Sequence, residues 1–325
     1  LQGNIFYFDN TSSIGNPSSL TYFWDFDNGD TSTAQVQPPK TFTYADTFSI
    51  NLIVTSDSQC VDTFVQNIYV FPMPQAGFSV NDTGQCFDGH SFAFTDTTSI
   101  LWGTYNSYWE FGDTNTAYIA SPMHSYQSVD SFTVKQVITS DQGCMDSNYQ
   151  QVYTYPMPSA VFSVNDTVQC LNGNSFNFNN SSSISSGSLN YYWGFGDTIT
   201  SNQANPNHSY TSADSYMVAL VAESDKYCYD TQDVEVIVHP SPVVDFDIDD
   251  SIQCFFDNQF TFTNNSTLAY GSQDYLWNFG DSDTSTQTNE QHSYENDSTF
   301  NVKLVATTNT GCQDSLVKQA IVHPS

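Results

Sequence analysis

Arginine is absent from this chain, and five lysines (Lys40, Lys135, Lys226, Lys303 and Lys318) stand against 35 acidic residues, leaving a formal net charge of −30. A surface of that sign repels phosphate backbones and anionic headgroups, which excludes nucleic acid as a partner. No stretch approaches the roughly 20 apolar residues needed to cross a bilayer, so no membrane insertion is expected. No signal peptide opens the chain, because Leu1 runs straight into strand-like sequence. Helical periodicity of useful length is missing. So are a Gly-x-Ser-x-Gly elbow, a His-Glu-x-x-His pair, a phosphate loop and a dinucleotide fingerprint. A carboxylate pair able to cleave glycosides would have to be drawn from repeated positions, giving redundant copies unlike an active site. No enzyme activity and no catalytic residue is expected.

What the chain does contain is β-forming sequence. High charge with few aromatics would mean disorder, but aromatics reach 15% here, and Tyr, Phe, Val and Thr recur in short alternating runs. The alternation repeats. Trp24, Trp109, Trp193 and Trp277 are 85, 84 and 84 residues apart, while Pro72, Pro156, Pro240 and Pro324 keep a spacing of 84, as do Cys60, Cys144, Cys228 and Cys312. Independent residue types sharing one period identify a tandem array. Its copies are expected at 1–72 (lacking an N-terminal strand), 73–156, 157–240 and 241–325.

Each copy reads alike. A Pro-x-Pro joint leads to a short strand with Phe78, Phe162 or Phe246, then a polar loop carrying a cysteine. A strand with alternating phenylalanines follows, then a Trp-x-Phe strand with an acidic turn. A long strand with a period-2 inward face (Tyr216, Val218, Leu220 and Ala222, for example) precedes a tight turn with the second cysteine and a last strand. Period-2 alternation with turns every 8 to 12 residues predicts a two-sheet sandwich. The fold class expected is all-β, with four tandem Ig-like sandwiches. Trp24, Trp109, Trp193 and Trp277 alternate with Phe26, Phe111, Phe195 and Phe279 in a way that places them in the core and not on a sugar-binding platform.

The segments Trp109-Glu110-Phe111-Gly112-Asp113, Trp193-Gly194-Phe195-Gly196-Asp197 and Trp277-Asn278-Phe279-Gly280-Asp281 resemble the Trp-Asp-Phe-Gly-Asp-Gly hallmark of PKD (polycystic kidney disease) domains. Pro122-Met123-His124-Ser125-Tyr126 and Pro206-Asn207-His208-Ser209-Tyr210 resemble that family's Pro-x-His-x-Tyr segment. Copy 1 departs most, with Lys40 and Phe42 at the His and Tyr positions. Copy 4 keeps His292 and Tyr294 without the proline. The resemblance implies PKD-type sandwiches forming an elongated rod on the order of 150 Å, serving extracellular spacing, adhesion or accessory binding. Cysteine-bearing arrays of this kind resemble those in giant cell-surface and secreted proteins of Bacteroidota, which implies a bacterial, extracellular or cell-surface location.

Seven cysteines without Cys-x-x-Cys spacing point to disulfides in an oxidising compartment. Within each copy the second follows the first by 58 residues, as in Cys86/Cys144, Cys170/Cys228 and Cys254/Cys312. The first cysteine of copy 1, the partner of Cys60, would fall just before Leu1. Pairing within a copy is one arrangement. In an Ig-like sandwich, however, the two cysteine loops lie at opposite ends, about 25 Å apart by strand rise, whereas bridged Cα atoms stay within about 7 Å. Head-to-tail stacking would instead pair Cys86 with Cys228 and Cys170 with Cys312. Both arrangements stand at this point.

Three histidines, His124, His208 and His292, occupy one repeat position, and His239 and His323 share another beside the joint. This is too sparse for a zinc site and is expected to orient the acidic turn by a hydrogen bond. The Gly-Asp turns at Asp113, Asp197 and Asp281 are weak calcium candidates, against the plainer reading that each Asp caps its own turn. No other cofactor is expected. A bacterial source, implied by the resemblance, would make Thr97, Thr167, Thr198, Ser251 and Ser315 candidates for O-glycosylation at Asp-Ser/Thr sites. The expected partners are neighbouring repeats and other copies packed laterally in a filament. The expected function is a non-catalytic stalk or filament shaft of an adhesin. Alternatives are accessory modules holding a secreted degradative enzyme on polysaccharide or protein, with Tyr22, Tyr105, Tyr108, Tyr191 and Tyr275 as contact candidates, and calcium-dependent homophilic adhesion.

Overall fold

Alternating sequence becomes strand throughout: the computed structural model describes residues 4–324, and among them all regular secondary structure is extended. Contacts divide the chain into two units, Leu1–Tyr155 and Pro156–Ser325.

In Pro156–Ser325 the same sandwich occurs twice. The first has a five-stranded sheet ordered Val168–Cys170, Tyr229–His239, Ser215–Ser224, Leu189–Gly194 and Thr200–Ser201. Facing it is a three-stranded sheet of Phe162–Val164, Phe176–Asn180 and Asn207–His208. The second repeats the plan with Ile252–Cys254, Gln313–His323, Thr299–Thr308, Gln273–Asn278 and Thr284–Ser285 against Phe246–Ile248, Phe260–Asn264 and Glu290–His292. Pairing is antiparallel except at one place. The short strand ending in cysteine runs parallel to the last strand, with Cys170 opposite His239 and Cys254 opposite His323.

That exception corrects the expectation of a polar, cysteine-bearing loop. The opening segment splits: Phe162–Val164 pairs on the small sheet, three polar residues cross over, and Val168–Cys170 joins the large one. Asp166 makes the crossing by accepting the Val168 main-chain N–H at 3.0 Å. One segment thereby covers an edge of both sheets, where unpaired N–H and C=O groups would otherwise stay exposed. Inside, Trp193 lies opposite Leu220 and Trp277 opposite Leu304. Phe162 and Phe246 set their rings edge-on to those tryptophans at 4.9 and 5.0 Å. Full burial of each such ring contributes about 1.5–3 kcal/mol.

In Leu1–Tyr155 the later sandwich has the complete set. Thr116–Ala117, Tyr105–Glu110, Ser131–Ser140, Met145–Tyr155 and Gly84–Cys86 face Met123–His124, Phe92–Asp96 and Phe78–Val80. The earlier one has four strands in its large sheet (Thr31–Ser32, Leu20–Asp25, Asp46–Ser56, Val61–Val70) and two in its small sheet (Ile5–Phe6, Lys40–Thr41). Among the described residues it has no counterpart of Phe78–Val80 or Gly84–Cys86. One core position also breaks the repeat. Opposite Trp109 stands Gln136, where Leu52, Leu220 and Leu304 serve elsewhere. Gln136 is buried and gives its Nε2 hydrogen to Asp96 Oδ1 at 2.9 Å, while its Oε1 has no partner.

Candidate functional site

The Trp-x-Phe strand ends in a Gly-Asp turn that needs its glycine. Gly112, Gly196 and Gly280 sit at φ of 85°, 83° and 86°, and a Cβ on Gly196 would lie 2.9 Å from the Met217 carbonyl oxygen. The next aspartate holds two groups at once. Oδ1 of Asp113, Asp197 and Asp281 accepts a turn N–H from Asn115 (3.1 Å), Ile199 (3.2 Å) and Asp283 (3.1 Å). Oδ2 meets Nε2 of His124, His208 and His292 at 2.7, 2.7 and 2.6 Å. Each imidazole lies flat on the phenylalanine before the turn, 4.1 to 4.3 Å between centroids, and edge-on to the tyrosine two residues on. That tyrosine closes the knot: Tyr126, Tyr210 and Tyr294 donate their hydroxyls to the carbonyls of Phe111, Phe195 and Phe279. Burial, with the nearby aspartate adding repulsion, pushes all three phenols far above their usual pKa. Burial works against the Asp113 carboxylate too, but hydrogen bonds from Asn115 and His124 outweigh it and hold its pKa below the ordinary value.

Copy 1 solves the same problem differently. Lys40 Nζ lies 3.6 Å from Asp30 and 4.6 Å above the Phe26 ring, replacing hydrogen-bonded imidazole by an ion pair and a cation–π contact. His90, which the sequence reading left unassigned, has a structural task. Its Nδ1 hydrogen goes to the Phe87 carbonyl and its Nε2 accepts the Tyr126 N–H, both at 2.7 Å. Asn174 and Asn258 make the same links with amides. The signal was available, since His90, Asn174 and Asn258 share one repeat position.

As a cation site the turn offers little. Both oxygens of each aspartate are engaged within it, which is the turn-capping arrangement. Asp283 adds a third donor to Asp281 and His292, with ligand atoms within 4.8 Å of one another, but Asn115 and Ile199 stand there in the other copies. One imidazole and two carboxylates fall well short of the six to eight oxygens calcium takes. The contact tyrosines do not form an exposed platform either: Tyr22, Tyr105, Tyr108, Tyr191 and Tyr275 are all half-buried. Thr97, Thr167, Thr198, Ser251 and Ser315 are exposed, and the four tryptophans Trp24, Trp109, Trp193 and Trp277 are buried.

The cysteines carry the clearest architectural statement. Cys170 is bonded to Cys312, 142 residues away, with Cα atoms 5.5 Å apart, so the first cysteine of one copy joins the second cysteine of the next. Cys86 and Cys228 are also in disulfide form. Cys60, Cys144 and Cys254 are free thiols. The expectation that Cys144 and Cys254 are bridged is thereby corrected. Their within-copy partners Cys86 and Cys312 are already oxidised, and for both a partner at the copy-to-copy spacing lies outside the described residues. The expected partner of Cys60 lies outside the described residues.

Known proteins bear on this geometry. The chain is 43% identical over 61 residues to the pre-pro-metalloprotease PrtV of Vibrio cholerae, covering 19% of this chain and 6% of that protein's length. Among solved structures, the PKD1 domain of the same metalloprotease is 37% identical over 25% of this chain and 96% of its own, with a TM-score of 0.23. The N-terminal eight Ig domains of Down Syndrome Cell Adhesion Molecule share the fold alone, at 12% identity and a TM-score of 0.50 over 98% of this chain and 49% of that one. The PKD domain family pattern matches residues 2–71, 156–238 and 239–322, most of the sequence, and the chain belongs to the PKD-domain family.

Proposed function

We propose that the chain is a non-catalytic, extracellular structural array, the stalk or filament shaft of a cell-surface adhesin. The observation that carries this reading is the Cys170–Cys312 bridge. A bond from one sandwich to the next serves a part that transmits load along the chain; a self-contained binding domain has no use for it. The knot of Trp, Gly-Asp, His and Tyr supports the same reading, because it spends the repeat's polar residues on holding a turn. The partners on this reading are neighbouring modules and laterally packed copies, as in the giant surface proteins of Bacteroidota that the array resembles. The five exposed Asp-Ser/Thr hydroxyls would carry O-glycans, and an intact mass equal to 36.2 kDa would count against modification.

A second reading has one observation in its favour: the 43% identical segment belongs to a metalloprotease. On that reading the modules hold an enzyme against polysaccharide or protein. Co-sedimentation of the whole chain with insoluble polysaccharides and with fibrous protein decides between them. A shaft stays in the supernatant, and saturable retention would favour the accessory role.

A further inference from the structure

The outward face of the second copy's large sheet is rich in rings and poor in charge. Strand register sets Tyr108, Val137 and Ser147 in one row and Glu110, Lys135 and Tyr149 in the next. Tyr118, 78% exposed, meets the Tyr108 ring at 5.0 Å. Lys135 Nζ stands 5.8 Å from the centre of the Tyr149 ring, which is 57% exposed. Further along the same strand Tyr153 and Tyr155 lie nearly parallel, 6.3 Å apart. An exchange at the sheet edge extends the row. Gly84 stands where the later copies have Val168 and Ile252, and a Cβ there would lie 2.6 Å from the Tyr155 ring. Glycine thus lets that ring lie across the edge strand.

Charge sets this face apart. Among the described residues its strands point two charged side chains outward, Glu110 and Lys135, and these pair at 3.6 Å. The face is therefore neutral in a chain of net charge −30. The corresponding face of the third copy is acidic: Asp233 takes the place of Tyr149, and Glu223 and Glu235 share its side of the sheet. Around the rings of the neutral face, Thr133, Ser147 and Gln151 are exposed and offer hydrogen bonds. Tyrosine at the centre, charge depleted and polar groups around it is the composition of a protein–protein interface.

The charge of the whole chain selects the occupant. Two such chains repel each other wherever their acids meet, so they approach closely only where both surfaces are neutral. A two-fold contact brings the same patch from each partner, and one neutral face then serves both sides. We propose that this face is a self-association surface, packed sheet against sheet on the same face of a second copy of the chain. On the reading of laterally packed shafts, on which this rests, it is where two shafts touch. Five strands about 4.8 Å apart and about six residues long, at roughly 3.3 Å each, give a face of roughly 400–500 Å². Two copies then bury on the order of 800–1,000 Å², the lower limit for a specific interface, so one pair of faces makes a weak and reversible dimer.

Sedimentation of the full chain, with the thiols of Cys60, Cys144 and Cys254 alkylated, tests this at up to about 0.5 mM protein. The expected result is a dimer that tightens at least about tenfold between about 0.02 and 0.5 M salt. Over that range the Debye length falls from roughly 20 to 4 Å and the acids' repulsion is screened, whereas a contact built on ion pairs weakens. Tyr149→Asp gives the face the residue that the third copy carries there, and should weaken association at least about tenfold. Val317→Asp, at the same register of the fourth copy, should leave it unchanged. Hydroxyl-radical footprinting should find Tyr118 and Tyr149 protected as protein concentration rises. A monomer at every salt overturns the proposal, and so does a dimer that Tyr149→Asp leaves intact. Protection of Tyr149 that follows added neutral polysaccharide and not protein concentration also overturns it. None of these results touches the Cys170–Cys312 bridge, so the stalk reading stands or falls separately.

Discussion

A bond between Cys170 and Cys312 should be visible as missing length when the second unit is pulled. With bio-orthogonal handles at Ser159 and Ser325 of the full chain, force enters on either side of the bridge. Complete unfolding of an unbridged chain would release roughly 560 Å between the handles, at the 3.3–3.6 Å each extended residue spans. The bridge removes the 142 residues between its ends from the load path, about 480 Å of contour, leaving roughly 80 Å in the two tails. Single-molecule force spectroscopy reads both values. The oxidised chain should stop near the short extension, and adding a reductant, or replacing Cys170 by serine, should restore the long one. Release of the full length under oxidising conditions would refute the copy-to-copy bridge and with it the main support for a load-bearing role.

Four further outcomes follow from the packing. Gln136→Leu combined with Asp96→Asn gives the second copy the Trp-facing leucine and the asparagine of its later siblings. It should raise that sandwich's stability by about 1–2 kcal/mol in a urea melt, since an orphaned buried carbonyl disappears. Gly196→Ala should cost about 1–3 kcal/mol, because φ is 83° and the new Cβ meets the Met217 carbonyl. Asp96 and Asp113 both have pKa values below the ordinary carboxylate, so their stabilisation is complete above about pH 4 and is lost as pH falls through the depressed values; an acid titration followed by near-UV circular dichroism should show loss only below that point. A chelator should leave the melting temperature unchanged, and a drop of several degrees would mean that the Asp281, Asp283 and His292 group holds a cation.

The period, the strands and the buried tryptophans were legible in sequence because each depends on local alternation repeated at fixed distance. His124, His208 and His292 were legible for the same reason, as framework residues standing at one register beside an acidic turn. What escaped depends on where separate stretches meet. Nothing in the alternation of Phe162–Val164 announces that the chain changes sheets three residues later, so Cys170 reads as a loop residue when it lies on a strand. Once it is on that strand, its reach to Cys312 follows, and Cys144 and Cys254 are left as thiols. The partial burial of the candidate tyrosines was hidden for a related reason. Tyr191 and Tyr275 sit beside the core tryptophans in sequence, and the rims of their own sandwiches half-cover them, a matter of packing that no spacing encodes.

The Cys170–Cys312 bond also bears on survival outside a cell. Trypsin-like proteases cut after lysine or arginine in exposed turns, and this chain has no arginine. Four of its lysines, Lys40, Lys135, Lys303 and Lys318, lie within strands, which leaves Lys226 as the one in a turn. Lys226 falls inside the span that the bond closes. A cut there would open the backbone and leave both halves joined through sulfur, so the array can be nicked at its most vulnerable basic residue without coming apart.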